Sequence, residues 1–223
     1  MQKARNKDQK CPVVFVLDTS GSMTGVPINE LNKALIQIKE EILNDLILFN
    51  RLEVGIVAFD DDARVIREID LLYPETEFPI LELGELSNLV AGMNKAIELI
   101  SNRKKFYISN VEEYYRPIII LFSGGTQTNR PEEIEELDQT IQKLYDEKRF
   151  KFLPFGIEGA DMQLLAKLTG QTENAWSLKD TCISELIKSL RVELMIQSEL
   201  DVDINYMQKP TSFDTSITFD LSE

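Results

Sequence analysis

The 223-residue chain contains no histidine, which removes histidine general-base catalysis and histidine metal ligation from consideration. It has only two cysteines, Cys11 and Cys182, far apart in sequence. That usage predicts thiols in a reducing cytoplasm rather than a disulfide framework. Long apolar runs are missing too: the seven residues CPVVFVL are broken by Asp18. The sequence therefore predicts neither a membrane span nor a signal peptide behind the charged start MQKARNKDQK. Basic residues are in deficit, 24 against 38 acidic ones, and the net charge of -14 repels phosphate backbones and anionic membranes. Neither nucleic acid nor a membrane is an expected partner.

What is present suits a globular domain, since a chain of this length can bury a substantial core without a cofactor or a disulfide. Four apolar runs stop at Gly, Ser, Asp or an apolar residue before Asp: 12–18 (PVVFVLD), 52–59 (LEVGIVAF), 117–123 (PIIILFS) and 151–156 (KFLPFG). Without polar alternation they read as strands buried on both faces. Between them lie helical stripes. Leu31, Leu35, Ile38, Ile42 and Leu46 form one; Ile134, Leu137, Ile141 and Leu144 form another, opened by Asn129, Pro131 and an acidic first turn; Ile183, Leu186, Ile187, Leu190 and Leu194 form a third.

This alternation predicts an α/β fold, a doubly wound and mostly parallel sheet with helices on both faces. Segment 63–70 follows the second strand too closely for a crossover helix, so it is expected as an antiparallel edge strand. Segment 101–116 reads as a surface insertion. The expected organisation is a flexible tail over 1–10, the domain over 11–197 and an acidic strand appendage over 198–223. In the last, Leu200, Val202, Ile204 and Tyr206 alternate with polar residues, as do Ile217, Phe219 and Leu221. Two uses fit that pattern, a hairpin packed on the parent domain or a strand added to a partner's sheet edge.

Ligands of such sheets bind at the carboxyl ends of the strands, where the first strand runs into Asp18, Ser20 and Ser22 of DTSGS. Oxygens at i, i+2 and i+4 on one tight loop can converge on a hard divalent cation such as Mg2+, which takes about six oxygens. Turn chemistry alone gives the other reading, with the three side chains satisfying backbone amides and Gly21 taking a dihedral that other residues avoid.

Other candidates are weaker. Asp60, Asp61 and Asp62 diverge in direction and read as a solvated hairpin turn. Arg103, Lys104 and Lys105 suit either a helix end or an acidic partner. Trp176 is a core residue or an interface anchor. SGGTQTN lacks the lysine and spacing of a phosphate loop. Ser20 or Ser22 as a nucleophile would need a base other than histidine, and Asp18 as a phosphoryl acceptor would need a second acid.

The stretch FVLDTSGSM, with the helix after it and the strand VGIVAFDDDARV, resembles the von Willebrand factor A domain family from about residue 12 to about 195. LDTSGSMTGVPINELNKAL and RPIIILFSGG resemble its bacterial cytoplasmic branch associated with tellurite resistance. The resemblance implies a metal-ion-dependent adhesion site on three loops. The first is complete in Asp18, Ser20 and Ser22. The second, usually G-G-T-x-L, matches ELSNLVAGM, with Ser87 at the threonine and Leu89 at the leucine. The third, usually T-D-G, matches FSGGTQTN, with Gly124 where the aspartate stands. One of two site carboxylates is thus replaced, and Glu85, Thr126 and Asn129 are candidate compensating oxygens.

What the family implies is a non-enzymatic protein-interaction module in a bacterial stress-response or defence complex. In it Mg2+ or Mn2+, held by Asp18, Ser20, Ser22 and Ser87, captures an Asp or Glu of a partner. The Gly124 departure keeps a metal-free scaffold open beside it, as a subunit of a larger machine with an AAA+ ATPase or a phospho-signalling enzyme. A metal-assisted phosphoesterase built on Asp18 is the reading from another class.

Overall fold

The computed structural model of the chain describes residues 8–78, 80–124, 127–169, 175–177 and 182–200. Strand β1 (Cys11–Asp18) is buried along its whole length because it is central and covered on both faces. It pairs in parallel with β2 (Leu52–Phe59) on one side and β4 (Ile118–Ser123) on the other. Beyond β4 come β5 (Lys151–Gly156) and the two-residue β6 (Trp176–Ser177), both parallel, while β3 (Ala63–Leu71) closes the opposite edge antiparallel to β2. The order is β3-β2-β1-β4-β5-β6. It is the mostly parallel, doubly wound sheet that the sequence predicts, with the edge strand where its short connection put it.

Alternate residues of β1 feed two cores. Val13, Phe15 and Leu17 pack with Leu31, Leu35, Ile38 and Ile42 of α1 (Val26–Asn44) and with Ile183, Leu186, Ile187, Leu190 and Leu194 of α6 (Cys182–Leu200). Val14 and Val16 face α3 (Leu89–Ser109), α4 (Pro131–Asp146) and α5 (Met162–Leu168) through Met93, Ala96, Ile134, Leu137, Ile141 and Leu165. Two apolar layers explain why the strand shows no polar alternation.

The winding reverses between β1 and β4, so their carboxyl ends flank a crevice left by connections that leave in opposite directions. Both DTSGS and the start of FSGG lie there.

Several local expectations need correction. Leu46 is 77% exposed and lies outside α1. Asp45 ends that helix and caps α2 (Leu46–Arg51), its Oδ1 accepting from the amides of Ile47 (2.9 Å) and Leu48 (3.2 Å), the role to which a short carboxylate is suited. Segment 101–116 is no insertion over most of its length, because α3 continues through Ser109. Arg103 faces inward there and pairs with the fully buried Glu53 of β2 at 2.5 Å. Lys104 Nζ donates to the Arg149 carbonyl.

Helix α4 is capped at Arg130, whose amide donates to Glu133 Oε2 (3.0 Å), with Pro131 in the first position. The positive φ near DTSGS belongs to Gly25 (87°), ahead of α1, and not to Gly21. Helix α6 runs through Leu200, so that residue is helical, and the two expected strands beyond it lie outside the described residues. No helix among the described residues is long and apolar enough to cross a membrane.

Candidate functional site

The site is built on Asp18, the last residue of β1, which is fully buried. Its Oδ1 accepts from the Ser20 amide at 3.0 Å. Its Oδ2 accepts from Ser123 Oγ (3.1 Å) and the Gly124 amide (3.2 Å) and has Ser87 Oγ beside it at 3.3 Å. One carboxylate thus ties together the three loops that follow β1, precede α3 and follow β4. Burial pushes the Asp18 carboxyl above its ordinary value; hydrogen bonds from Ser20, Gly124 and Ser123 oppose the rise without cancelling it. A positive charge nearby would favour the ionised form.

The hydroxyls of Ser20 and Ser22 face each other at 2.9 Å. Ser22 is exposed at the loop top, Ser20 and Ser87 are buried beneath it, and Ser22 Oγ donates to the Gly124 carbonyl at 3.1 Å. Gly21 sits close against the second loop: a Cβ there would lie 3.1 Å from the Glu85 carbonyl oxygen, so the backbone would have to give by a few tenths of an ångström, and the same oxygen accepts the Gly21 amide at 3.2 Å. This bond and that from the Gly84 amide to the Thr19 carbonyl (2.8 Å) fasten the second loop to the first. The structure therefore gathers Asp18, Ser20, Ser22 and Ser87.

The candidate compensating oxygens behave otherwise. Asn129 is turned to the start of α3, where its Oδ1 accepts from the Val90 amide (3.3 Å) and its Nδ2 donates to Asn88 Oδ1 (2.9 Å). Glu85 is exposed and contributes its backbone to the loop junction. Thr126 lies outside the described residues. Trp176 is 39% exposed and stacks on Phe155 at 5.5 Å between centroids.

Asp60 is buried and not part of a solvated turn. It accepts from Thr19 Oγ1 (3.1 Å) and pairs with Arg64 at 2.5 Å. Asp61 and Asp62 make the loop contacts expected of a turn, Asp61 Oδ1 accepting from the Leu86 amide and Asp62 Oδ1 from the Ala63 amide. Asp60 thus braces DTSGS through Thr19 from just beyond the end of β2.

Sequence reasoning missed Ser123 and Gln127. Gln127 Nε2 donates to Ser123 Oγ (2.9 Å), while its Oε1 accepts from Ser87 Oγ (2.8 Å). Nothing in the periodicity marks them, because Ser123 is the single polar residue closing β4 and Gln127 lies in the loop beyond it. The polar run SGGTQTN was the only signal.

A hard cation needs oxygens at about 2.0–2.1 Å, which sets adjacent corners of its octahedron about 2.9 Å apart. The Ser20 and Ser22 oxygens have that spacing, and Asp18 supplies a buried negative charge behind them. The charge count is low: among the described residues no three His, Cys, Asp or Glu side chains cluster as a metal-binding group. The third loop cannot add a carboxylate at position 124 without rearrangement, because a Cβ on Gly124 would run into the sulfur of the buried Met23. The donor set fits a hard cation held mainly by neutral oxygens.

Comparison with known proteins agrees with this architecture. The model of the von Willebrand factor type A domain matches residues 13–189. Inter-alpha-trypsin inhibitor heavy chain H3 of Mus musculus is 28% identical over 128 residues, covering 56% of this chain and 14% of that protein. The chain thus spans a small part of that relative's length.

Among solved structures, the ArnB paralog VWA2 from Sulfolobus acidocaldarius is similar with a TM-score of 0.53 and 18% identity, over 82% of this chain and 44% of that one. The pilus adhesin SpaC from Lactobacillus rhamnosus GG gives 0.61 and 11%, over 86% and 31%. Proximal thread matrix protein 1 from the mussel byssus, with a zinc-occupied MIDAS motif, gives 0.54 and 13%, over 86% and 47%. At these identities the likeness is one of fold.

Proposed function

This chain belongs to the von Willebrand factor type A domain family, a family of protein-interaction modules, and we propose that it binds a partner protein through the loop tops at the carboxyl ends of β1 and β4. Ser20, Ser22 and Ser87 would hold Mg2+ or Mn2+, with Asp18 behind them as the anionic base of the site. An ion bound there supplies a coordination position for a carboxylate from another molecule. The chain's own residues do the rest. Asp18 holds three loops in register, Asp60 and Arg64 brace Thr19, and the exposed Ser22 sets the hydroxyl pair at the surface. An Asp or Glu of the partner is the group that this chemistry selects.

The observation that carries the reading is the 2.9 Å separation of the Ser20 and Ser22 oxygens above a buried carboxylate. The setting we infer is the bacterial cytoplasm, in the branch resembling tellurite-resistance proteins, as part of a stress-response or defence complex. The module is not an enzyme in this reading. There is no histidine in the chain, and the third loop offers glycine where a second acid would be needed for phosphoryl chemistry.

A metal-free scaffold, working beside an AAA+ ATPase or a phospho-signalling enzyme, draws on Met23 filling the volume next to Gly124 and on the three donors, the Ser20 and Gly124 amides and Ser123 Oγ, already satisfying Asp18. Purification of the tagged chain with its partner from the native host, with Mg2+ and then with EDTA, separates the two. Release by EDTA, and failure of a Ser20→Ala variant to retain the partner, support the cation bridge. Retention through EDTA refutes it and leaves the metal-free scaffold.

A further inference from the structure

Gly124 leaves the third loop without its carboxylate, and Met23 closes off that position. Three residues further on, the same loop returns a different oxygen to the site. We propose that Gln127 supplies the third-loop oxygen of the cation site, so that the site carries one negative charge where the family pattern has two. This rests on the cation reading above.

The placement of Gln127 is set by its partners. Its Nε2 donates to Ser123 Oγ (2.9 Å), which in turn donates to Asp18 Oδ2 (3.1 Å). With the amide nitrogen held on that side, Oε1 faces Ser87 Oγ (2.8 Å), and Ser87 Oγ also reaches Asp18 Oδ2 (3.3 Å). Asp18, Ser123, Gln127 and Ser87 therefore form a closed ring.

The backbone fixes the ring from outside. The Thr128 amide donates to the Ser87 carbonyl (3.0 Å), Thr128 Oγ1 donates to the same carbonyl (3.0 Å), and the Ser87 amide lies 3.2 Å from Thr128 Oγ1. This clasp holds the backbone next to Gln127 against the Ser87 loop.

Side-chain amide oxygens are ordinary ligands of hard cations, and the number of charged ligands tunes the affinity of such sites. A neutral Gln127 gives a weaker site than a carboxylate would, with more of the ion's charge left for the carboxylate of a partner. Gln127→Glu differs by one charge and almost no volume, so it tests the assignment directly.

The test is calorimetric titration of the chelator-stripped full chain with Mn2+ and Mg2+, for the native protein and its Gln127→Ala, Gln127→Glu and Ser20→Ala variants. Far-ultraviolet circular dichroism and metal-free thermal unfolding verify that each is folded. The expected result is binding about tenfold weaker in Gln127→Ala and about tenfold or more tighter in Gln127→Glu, following the charge count. Binding that Ser20→Ala abolishes but that either Gln127 variant leaves unchanged overturns the role of Gln127 and leaves the cation site standing. A native chain that binds neither ion overturns both.

Discussion

The sulfur of Met23 occupies the volume that a Cβ on Gly124 would need. Met23 follows DTSGS and is fully buried, so the first loop has closed over the position where the third loop would present its acid. A thioether is adaptable, and accommodation of a larger residue at 124 depends on where it can go. Gly124→Asp is therefore predicted to cost about 1–3 kcal/mol as overpacking. In a Met23→Ala background the same change should cost less by at least about 1 kcal/mol, a coupling that a double-mutant cycle in urea measures. Additive losses would show that the two positions do not compete.

Asp60 links stability to acid. Burial raises its carboxyl, but hydrogen bonds from Arg64 and Thr19, with the Arg64 charge, outweigh that and hold it below 3.8. A folded-state value below the unfolded one stabilises the fold above the unfolded value, and that contribution disappears as pH falls through the folded value. Unfolding free energy should therefore decline below about pH 4, and Asp60→Asn should flatten that decline. An unchanged slope in the variant would remove Asp60 from the acid response.

Glu53 is fully buried on β2, and Arg103 from α3 provides its cation while the Tyr107 hydroxyl donates to it. Arg103→Ala removes the counter-charge from a buried carboxylate, and the expected loss is about 3–5 kcal/mol. Replacing both charges, as Glu53→Gln with Arg103→Met, should recover much of it, since no charge is then buried and the introduced amide oxygen can still accept the Tyr107 hydroxyl. Denaturant midpoints of the two variants check this. A double variant as unstable as Arg103→Ala would refute it.

The fold was legible because its strands are buried on both faces, and unbroken apolar runs mark such strands directly. The predicted run 52–59 coincides with β2, and 151–156 with β5. Helix limits were less legible, because capping depends on single polar residues. Asp45 breaks a stripe that the apolar spacing alone carries on to Leu46, and α3 continues through residues that composition assigns to the surface because their charges find buried partners. Of the candidate site, DTSGS and Ser87 were legible by motif and are brought together. Gln127 and Ser123 were not, since hydrogen bonds between loops leave no period in sequence. Asn129 misled because the same amide that can face an ion can cap a helix.

The DTSGS loop, in this reading, is a cation site of low charge. Its most direct test is isothermal titration of the purified, chelator-stripped native chain with Mg2+ and Mn2+ beside Ser20→Ala. The native chain should bind saturably, at one ion per chain, and the variant should lose that binding. A native chain that takes up neither ion, or a Ser20→Ala variant that binds as well as the native one, would contradict it.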